Sequence, residues 1–214
     1  MRGYVVTIYL TLASMALALV LGLLVSLART SESRPLRFVS GAYVEYFRNT
    51  PLLVQLYFWF FALPKLPHFE LPLYGEVTWL LSPMEAALVG LTFYTGAYTT
   101  EALRSGLLSV DKGQTEAARA LGLTYMQTRL NVVAPQAFRI SVPLLTSILS
   151  ALFRNSALAS TVGVTDLLGA ADRIQQQNFQ TIELFFAAGV LYLCLTLPLA
   201  WASNRLEARV ARSR

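Results

Sequence analysis

Few side chains in this sequence could do chemistry, and most of them stand at the edges of long apolar runs. Glu101 and Arg104 lie one helical turn apart, a spacing that suits an ion pair. Arg154, Asn155 and Ser156 form a short run of hydrogen-bond donors. Glu85 and Arg139 stand at the opposite ends of the same two apolar stretches. The one histidine, His68, lies in a Pro-rich segment with no second ligand nearby, so it reads as a solvated loop residue and not a metal ligand. The one cysteine, Cys194, has no disulfide partner and sits in an apolar run, which reads as inert packing. No Ser/His/Asp set, cysteine pair or Gly-rich phosphate loop is present. The chain therefore has no expected catalytic residues, no metal site and no cofactor of its own. If ATP powers it, another chain must bind the nucleotide.

The elements that hold these residues are set by composition. The 214 residues are 55% hydrophobic and 14% charged, against roughly 25% charged in an average soluble domain. A soluble fold of this size could not hide so much apolar surface, so the bilayer is the natural solvent. A membrane helix needs about 20 residues, so five helices and their loops use nearly the whole chain. The expected fold is all-α, a single transmembrane domain over residues 1–214 with spans at about 4–28, 38–63, 84–107, 131–155 and 182–204.

The first and last spans are plain. The 26 residues between Arg2 and Arg29 carry no charge, a run too long for a signal-peptide core. Leu184 to Asn204 is also uncharged and leads into a basic tail. The second span is interrupted by Glu45 and Arg48, and Pro51 pushes Thr50 out of helical geometry, so a break is expected there. The third carries Glu85, Glu101 and Arg104, and the fourth Pro135, Arg139, Pro143 and Arg154. Two readings fit these charges. They mark a path covered by protein or water, or they sit at the interface and snorkel outward.

Under the five-span arrangement, thirteen of the 17 Lys and Arg residues fall on one side; Arg2, Lys65, Arg154 and Arg173 fall on the other. The positive-inside bias places the N-terminus outside and the C-terminus in the cytoplasm. The net charge of +5 follows from topology. It does not point to nucleic acid, because the basic residues are scattered over several loops. Residues 64–83, rich in proline and aromatics, are expected to form an extracytoplasmic cap. Residues 156–180 are expected to hold a short helix, with Gly163 and Gly169 as turn points.

The loop at about 108–130 reads SVDKGQTEAARALGLTYMQTRLNVVAPQAFR with its flanks. Ala117, Ala118, Ala120 and Leu121 favour helix, Asp111 or Thr115 could cap its start, and Gly122 fits a left-handed cap at its end. Val110, Ala117 and Leu121 can share an apolar face, with Glu116 and Arg119 elsewhere. Such a helix either docks into a groove of another protein or rests on the membrane surface; spacing alone leaves both open.

Glu116-Ala117-Ala118, then Gly122, then Pro135 after an apolar stretch, resembles the EAA loop of bacterial ABC import permeases. The segments Tyr43 to Pro64 and Tyr98 to Leu123, with Gly3, Thr7 and Gly22, resemble more narrowly the polar amino-acid permeases of the histidine, glutamine and glutamate type. The likeness covers almost the whole chain. Ala134 stands where that family usually has Leu or Ile, and Arg154-Asn155-Ser156 where it often has Lys-Asp-Thr or Lys-Asn-Thr.

The resemblance implies the type I ABC importer permease fold and a multi-pass protein of the bacterial inner membrane. This chain would form half of a pore with a second permease chain, a different one in preference to an identical one. Two ATPase subunits, holding ATP and Mg, would dock beneath, and an extracytoplasmic solute-binding protein would deliver an amino acid. By position, Glu116, Ala117, Ala118, Leu121 and Gly122 would couple the chain to the ATPase. The substrate path would involve Arg154, Asn155, Ser156, Glu101 and Gln55. An arginine can hold a carboxylate bidentately, and the stretch from Phe153 to Glu183 looks most like permeases for acidic or broad L-amino-acid systems. Glu101 could meet an ammonium group, though Arg104 is positioned to pair with it.

The rival classes are weaker. An ion-coupled secondary transporter would need its own coupling-ion site, and most show more spans or inverted repeats; a channel for small polar solutes is the other alternative of this class. A membrane enzyme would need a convergent catalytic set. A structural scaffold would need neither a docking helix nor proline-interrupted spans.

Overall fold

The computed structural model describes residues 2–65, 69–71, 75–77 and 81–212; His68 lies outside them. One short hairpin apart, the described residues are helical. Helix α1 (Arg2–Arg29) is followed by α2 (Arg34–Asn49) and α3 (Leu52–Tyr57). Strands β1 (Phe69–Leu71) and β2 (Gly75–Val77) pair antiparallel, Glu70 opposite Glu76. Then come α4 (Pro83–Leu108), α5 (Lys112–Ala120), the single turn α6 (Tyr125–Gln127), α7 (Ala134–Asn155), α8 (Leu167–Asn178) and α9 (Thr181–Arg212).

Helix α4 is the centre of the bundle and packs most extensively against α1 and then α7. Small residues allow the close approach. Gly3, Thr7, Thr11, Ser14, Ala18, Gly22 and Ser26 recur every three to four residues on the buried side of α1, the small-residue stripe that lets membrane helices meet backbone to backbone. A Cβ at Gly22 would collide with Thr99, whose hydroxyl donates to the Ala18 carbonyl at 2.8 Å. On the other side of α4, a Cβ at Gly106 would collide with Ser141, whose hydroxyl donates to the Ala102 carbonyl at 3.1 Å.

Among the described residues, three helical stretches are long and apolar enough to cross a membrane: Arg2–Arg29, Tyr125–Val162 and Thr181–Leu206. Helix α4 is long enough but rich in threonine, tyrosine and glycine. Its Thr92, Thr95, Thr99 and Thr100 are all buried, so neighbouring helices and not lipid cover its polar face.

Helix α2 ends at Thr50, whose backbone is extended, and Pro51 opens α3. Beyond α3 the helix widens into a π-helical stretch over Phe58–Ala62. The same widening occurs over Thr128–Val133. Each stretch lies just before a proline, Pro64 or Pro135, which has no N–H to offer the preceding turn.

Helix α4 begins with a capping box. The Ser82 amide donates to the Glu85 carboxylate at 2.7 Å, and the Glu85 amide donates to the Ser82 hydroxyl. Glu85 thus closes its own helix end. Residues 156–162 form a 3₁₀ extension of α7 that stops at Gly163, φ +95°. Gly169 is no turn point: it lies in the first turn of α8, where its amide donates to the capping Asp166 carboxylate at 2.9 Å. Asp166 is fully buried, and Tyr192 of α9 donates to its other oxygen at 3.0 Å. The adjacent Leu167 amide donates to Thr7 of α1 at 2.9 Å. Burial pushes the Asp166 carboxyl above the usual carboxylate range. Cys194 is exposed on α9, so it does not pack inside this chain as its apolar neighbours suggest.

Candidate functional site

The loop between α4 and α7 folds as a short helix with both ends closed. Asp111 caps the start of α5, its carboxylate accepting from the Gly113 amide at 2.6 Å. At the far end the Leu123 amide donates to the Ala118 carbonyl at 3.2 Å, and the Gly122 amide to that of Arg119 at 3.0 Å. This is a Schellman cap, and it needs a left-handed residue at Gly122, where φ is +86°. Thr124 and Gln127 then form a second capping box, so the chain turns straight into the π-helical stretch that leads to α7. Helix α5 packs on that stretch.

Ala118 alone of α5 is buried, turned toward the chain's own interior. Glu116 and Ala117 are exposed. Leu121 is 82% exposed, and Leu108, Tyr125, Met126 and Leu130 are exposed nearby in sequence. Helix α5 is short and capped at both ends, with the exposed Leu121 at its C-terminal cap. Among the described residues nothing within 4 Å would meet a Cβ at Gly122.

The candidate substrate residues are not gathered in one place. Glu101 pairs with Arg104 at 3.6 Å, as its spacing suggests, and also with Arg29 of α1 at 3.3 Å. The Arg29 pairing has no sequence signal, because the contact depends on how α1 meets α4. Ser141 marks the level of Ala102 on α7. Arg154 lies thirteen residues further along the same helix, about 20 Å at 1.5 Å per residue. One amino acid cannot span Glu101 and Arg154.

Gln55 is 3% exposed and serves the helix break. Its Nε2 donates to the Phe47 carbonyl at 3.0 Å, the Thr50 carbonyl at 3.1 Å and the Thr50 hydroxyl at 2.7 Å. These partners leave its amide nitrogen committed to the backbone that Pro51 disrupts, so as a substrate donor it is unavailable. Ser156 is fully buried and donates to the Phe153 carbonyl, a local bond that takes its hydroxyl out of any path. Arg154 is exposed, with one contact to the Ser150 hydroxyl at 3.2 Å, and Asn155 is half-buried.

Sequence reasoning missed the buried group at Asp166, Tyr192 and Thr7, which ties α8 to α9 and α1. The capping box Ser82/Glu85 was legible as Ser-x-x-Glu before an apolar run and was also missed.

Comparison with known proteins agrees with this architecture. Residues 15–212 match the family model described as binding-protein-dependent transport system inner membrane component. The chain is 35% identical over 213 residues to the probable glutamine ABC transporter permease protein GlnM of Bacillus subtilis (strain 168), covering 100% of this chain and 94% of that protein. It is 36% identical to the L-cystine transport system permease protein TcyB of the same organism, covering 98% and 86%. It is 32% identical to the glutamate/aspartate import permease protein GltJ of Escherichia coli (strain K12), covering 97% and 85%. The crystal structure of an amino acid ABC transporter with histidines superposes with a TM-score of 0.85 at 30% identity, covering 97% of this chain and 92% of that one. With this family match over nearly its full length, the chain belongs to the binding-protein-dependent transport system inner membrane components and is an ABC importer permease for amino acids.

Proposed function

We propose that the chain forms half of an amino-acid pore and takes its power stroke through α5. The observation that carries this is the doubly capped α5 helix, with Leu121 facing away from the bundle beside an open Gly122. Two ATPase subunits, with ATP and Mg, dock on this helix and its counterpart in a second permease chain, a different one in preference to a copy. The basic bias of the loops puts α5 and the C-terminus in the cytoplasm and the N-terminus outside. An extracytoplasmic solute-binding protein delivers the amino acid. ATP binding closes the ATPase pair, moves the docked helices and favours the outward-open conformation.

The substrate is a polar L-amino acid, with an acidic one favoured. Arg154 supports this, since it is exposed and, among the described residues, hydrogen-bonded only to Ser150. Asn155 beside it can add a donor. The GltJ relative is in line with an acidic substrate, while the GlnM and TcyB relatives keep the class broad.

The test is purification of the tagged chain from its native membrane in mild detergent, with mass-spectrometric identification of what accompanies it. An ATPase in equal amount, with a second permease, is expected. A chain that purifies alone, in detergent that keeps other complexes whole, would overturn the reading and favour a secondary transporter.

A further inference from the structure

A cavity of about 410 Å³ opens between the end of α1, the end of α4 and α5, within the roughly 300–1,000 Å³ typical of small-molecule sites. Four cations line it: Arg29, Arg104, Lys112 and Arg129. One carboxylate, Glu101, pairs with both Arg29 and Arg104. Among the described residues neither Lys112 nor Arg129 has an acidic partner; the Arg129 guanidinium lies 5.1 Å from the centre of the Tyr125 ring. The cavity therefore carries excess positive charge.

Two further facts point to a missing anion. Thr128 lines the cavity and is 1% exposed, yet its hydroxyl has no hydrogen-bond partner among the described residues. The Arg29 Nη1 atom is buried and also lacks a hydrogen bond among the described residues, since its approach to Glu101 is an ion pair without alignment. A buried donor left unmade is costly, and both belong to residues that line this cavity.

We infer that this cavity holds the phosphate headgroup of an anionic phospholipid, wedged between the bundle and α5. The position favours a lipid over a soluble anion. The cavity opens where α1 and α4 end, and Leu107, Leu108 and Val133 line it beside the cations. Basic pockets between membrane helices bind anionic headgroups in this way. A headgroup here touches the ends of two bundle helices and the first turn of α5 at once, so lipid charge would set how firmly α5 is held against the bundle. This inference needs only that the chain lies in a membrane, so it survives or fails separately from the substrate and ATPase assignments.

The test is native mass spectrometry of the purified full chain, titrated with phosphatidylglycerol or phosphatidylcholine in detergent, with and without millimolar inorganic phosphate. The wild type is expected to retain phosphatidylglycerol and not phosphatidylcholine, without competition from inorganic phosphate. The double variant Lys112→Gln, Arg129→Gln should bind about thirtyfold more weakly, from about a fivefold contribution per cation. The charge-keeping variant Lys112→Arg, Arg129→Lys should stay near wild type and controls for folding. Equal retention by the neutral variant would overturn the site. Full displacement by inorganic phosphate would overturn the lipid and leave a free-anion site. A neutral variant that keeps its lipid but loses a co-purifying ATPase would assign these cations to the partner chain instead.

Discussion

The amide of Leu123 donates to the carbonyl of Ala118 across Gly122, closing α5 with a left-handed residue whose missing side chain faces open space. Two consequences separate here. The backbone at Gly122 resists any L side chain by about 1 kcal/mol, but the fold has room for one. Gly122→Ala is therefore expected to insert normally and lose little uptake. Gly122→Trp should also reach the membrane at normal abundance yet abolish ATP-driven uptake, because the bulk projects where a partner would sit. Immunoblotting of membranes beside uptake of labelled amino acid distinguishes the two. Normal uptake by Gly122→Trp would mean that no protein approaches this corner.

Gln55 is expected to matter for stability and not for substrate affinity. Gln55→Leu orphans the carbonyls of Phe47 and Thr50 at the Pro51 break, a loss of about 1–3 kcal/mol. Thermal unfolding in detergent should show a lowered Tm, while any uptake that survives keeps the wild-type KM. An unchanged Tm with a raised KM would return Gln55 to the substrate path.

At Gly22, Gly22→Val forces a side chain into Thr99 and separates α1 from α4. Overpacking of this kind costs about 1–3 kcal/mol. Low yield of folded chain is expected, whereas Gly41→Ala, which meets nothing within 4 Å, should have no such effect. Size-exclusion profiles of the two variants make the comparison.

The buried Asp166 carboxyl gives a pH dependence with a definite sign. Its folded-state pKa is raised by burial, so the folded state holds the proton more tightly than the unfolded state. Its contribution to stability is full below the unfolded value, about 3.9, and is lost as pH rises through the folded value. Asp166→Asn, which keeps an N-cap oxygen, should remove that part of the decline in Tm with rising pH. Asp166→Ala should cost about 0.5–2 kcal/mol through the lost cap. Parallel curves for wild type and Asp166→Asn would contradict the assignment.

Much of this was readable because it is local. The uncharged run after Arg2 dictates α1, Pro51 dictates the break at Thr50, and Gly122 dictates the cap of α5. Each follows from a residue's own backbone chemistry. What could not be read depends on packing. Arg29 meets Glu101 only because α1 lies against α4, and Asp166 finds Tyr192, and the Leu167 amide finds Thr7, only once α8 and α9 fold back. Gln55 illustrates the remaining difficulty. A polar side chain in an apolar span looks like a path residue until the carbonyls it serves are seen. Arg154 and Glu101 were both expected along one path, and about a dozen residues of helix separate their levels in space.

An ATPase docked on α5 would meet Leu121, which caps that helix and is 82% exposed. A tagged Leu121→Asp chain should be purified beside the wild type and the retained ATPase quantified against the retained second permease. An unpaired charge buried at an interface costs on the order of several kcal/mol, so ATPase recovery is expected to collapse while the second permease remains at its wild-type level. Equal ATPase recovery from both chains would mean that no ATPase docks at Leu121 and leave α5 as a helix that rests on the membrane.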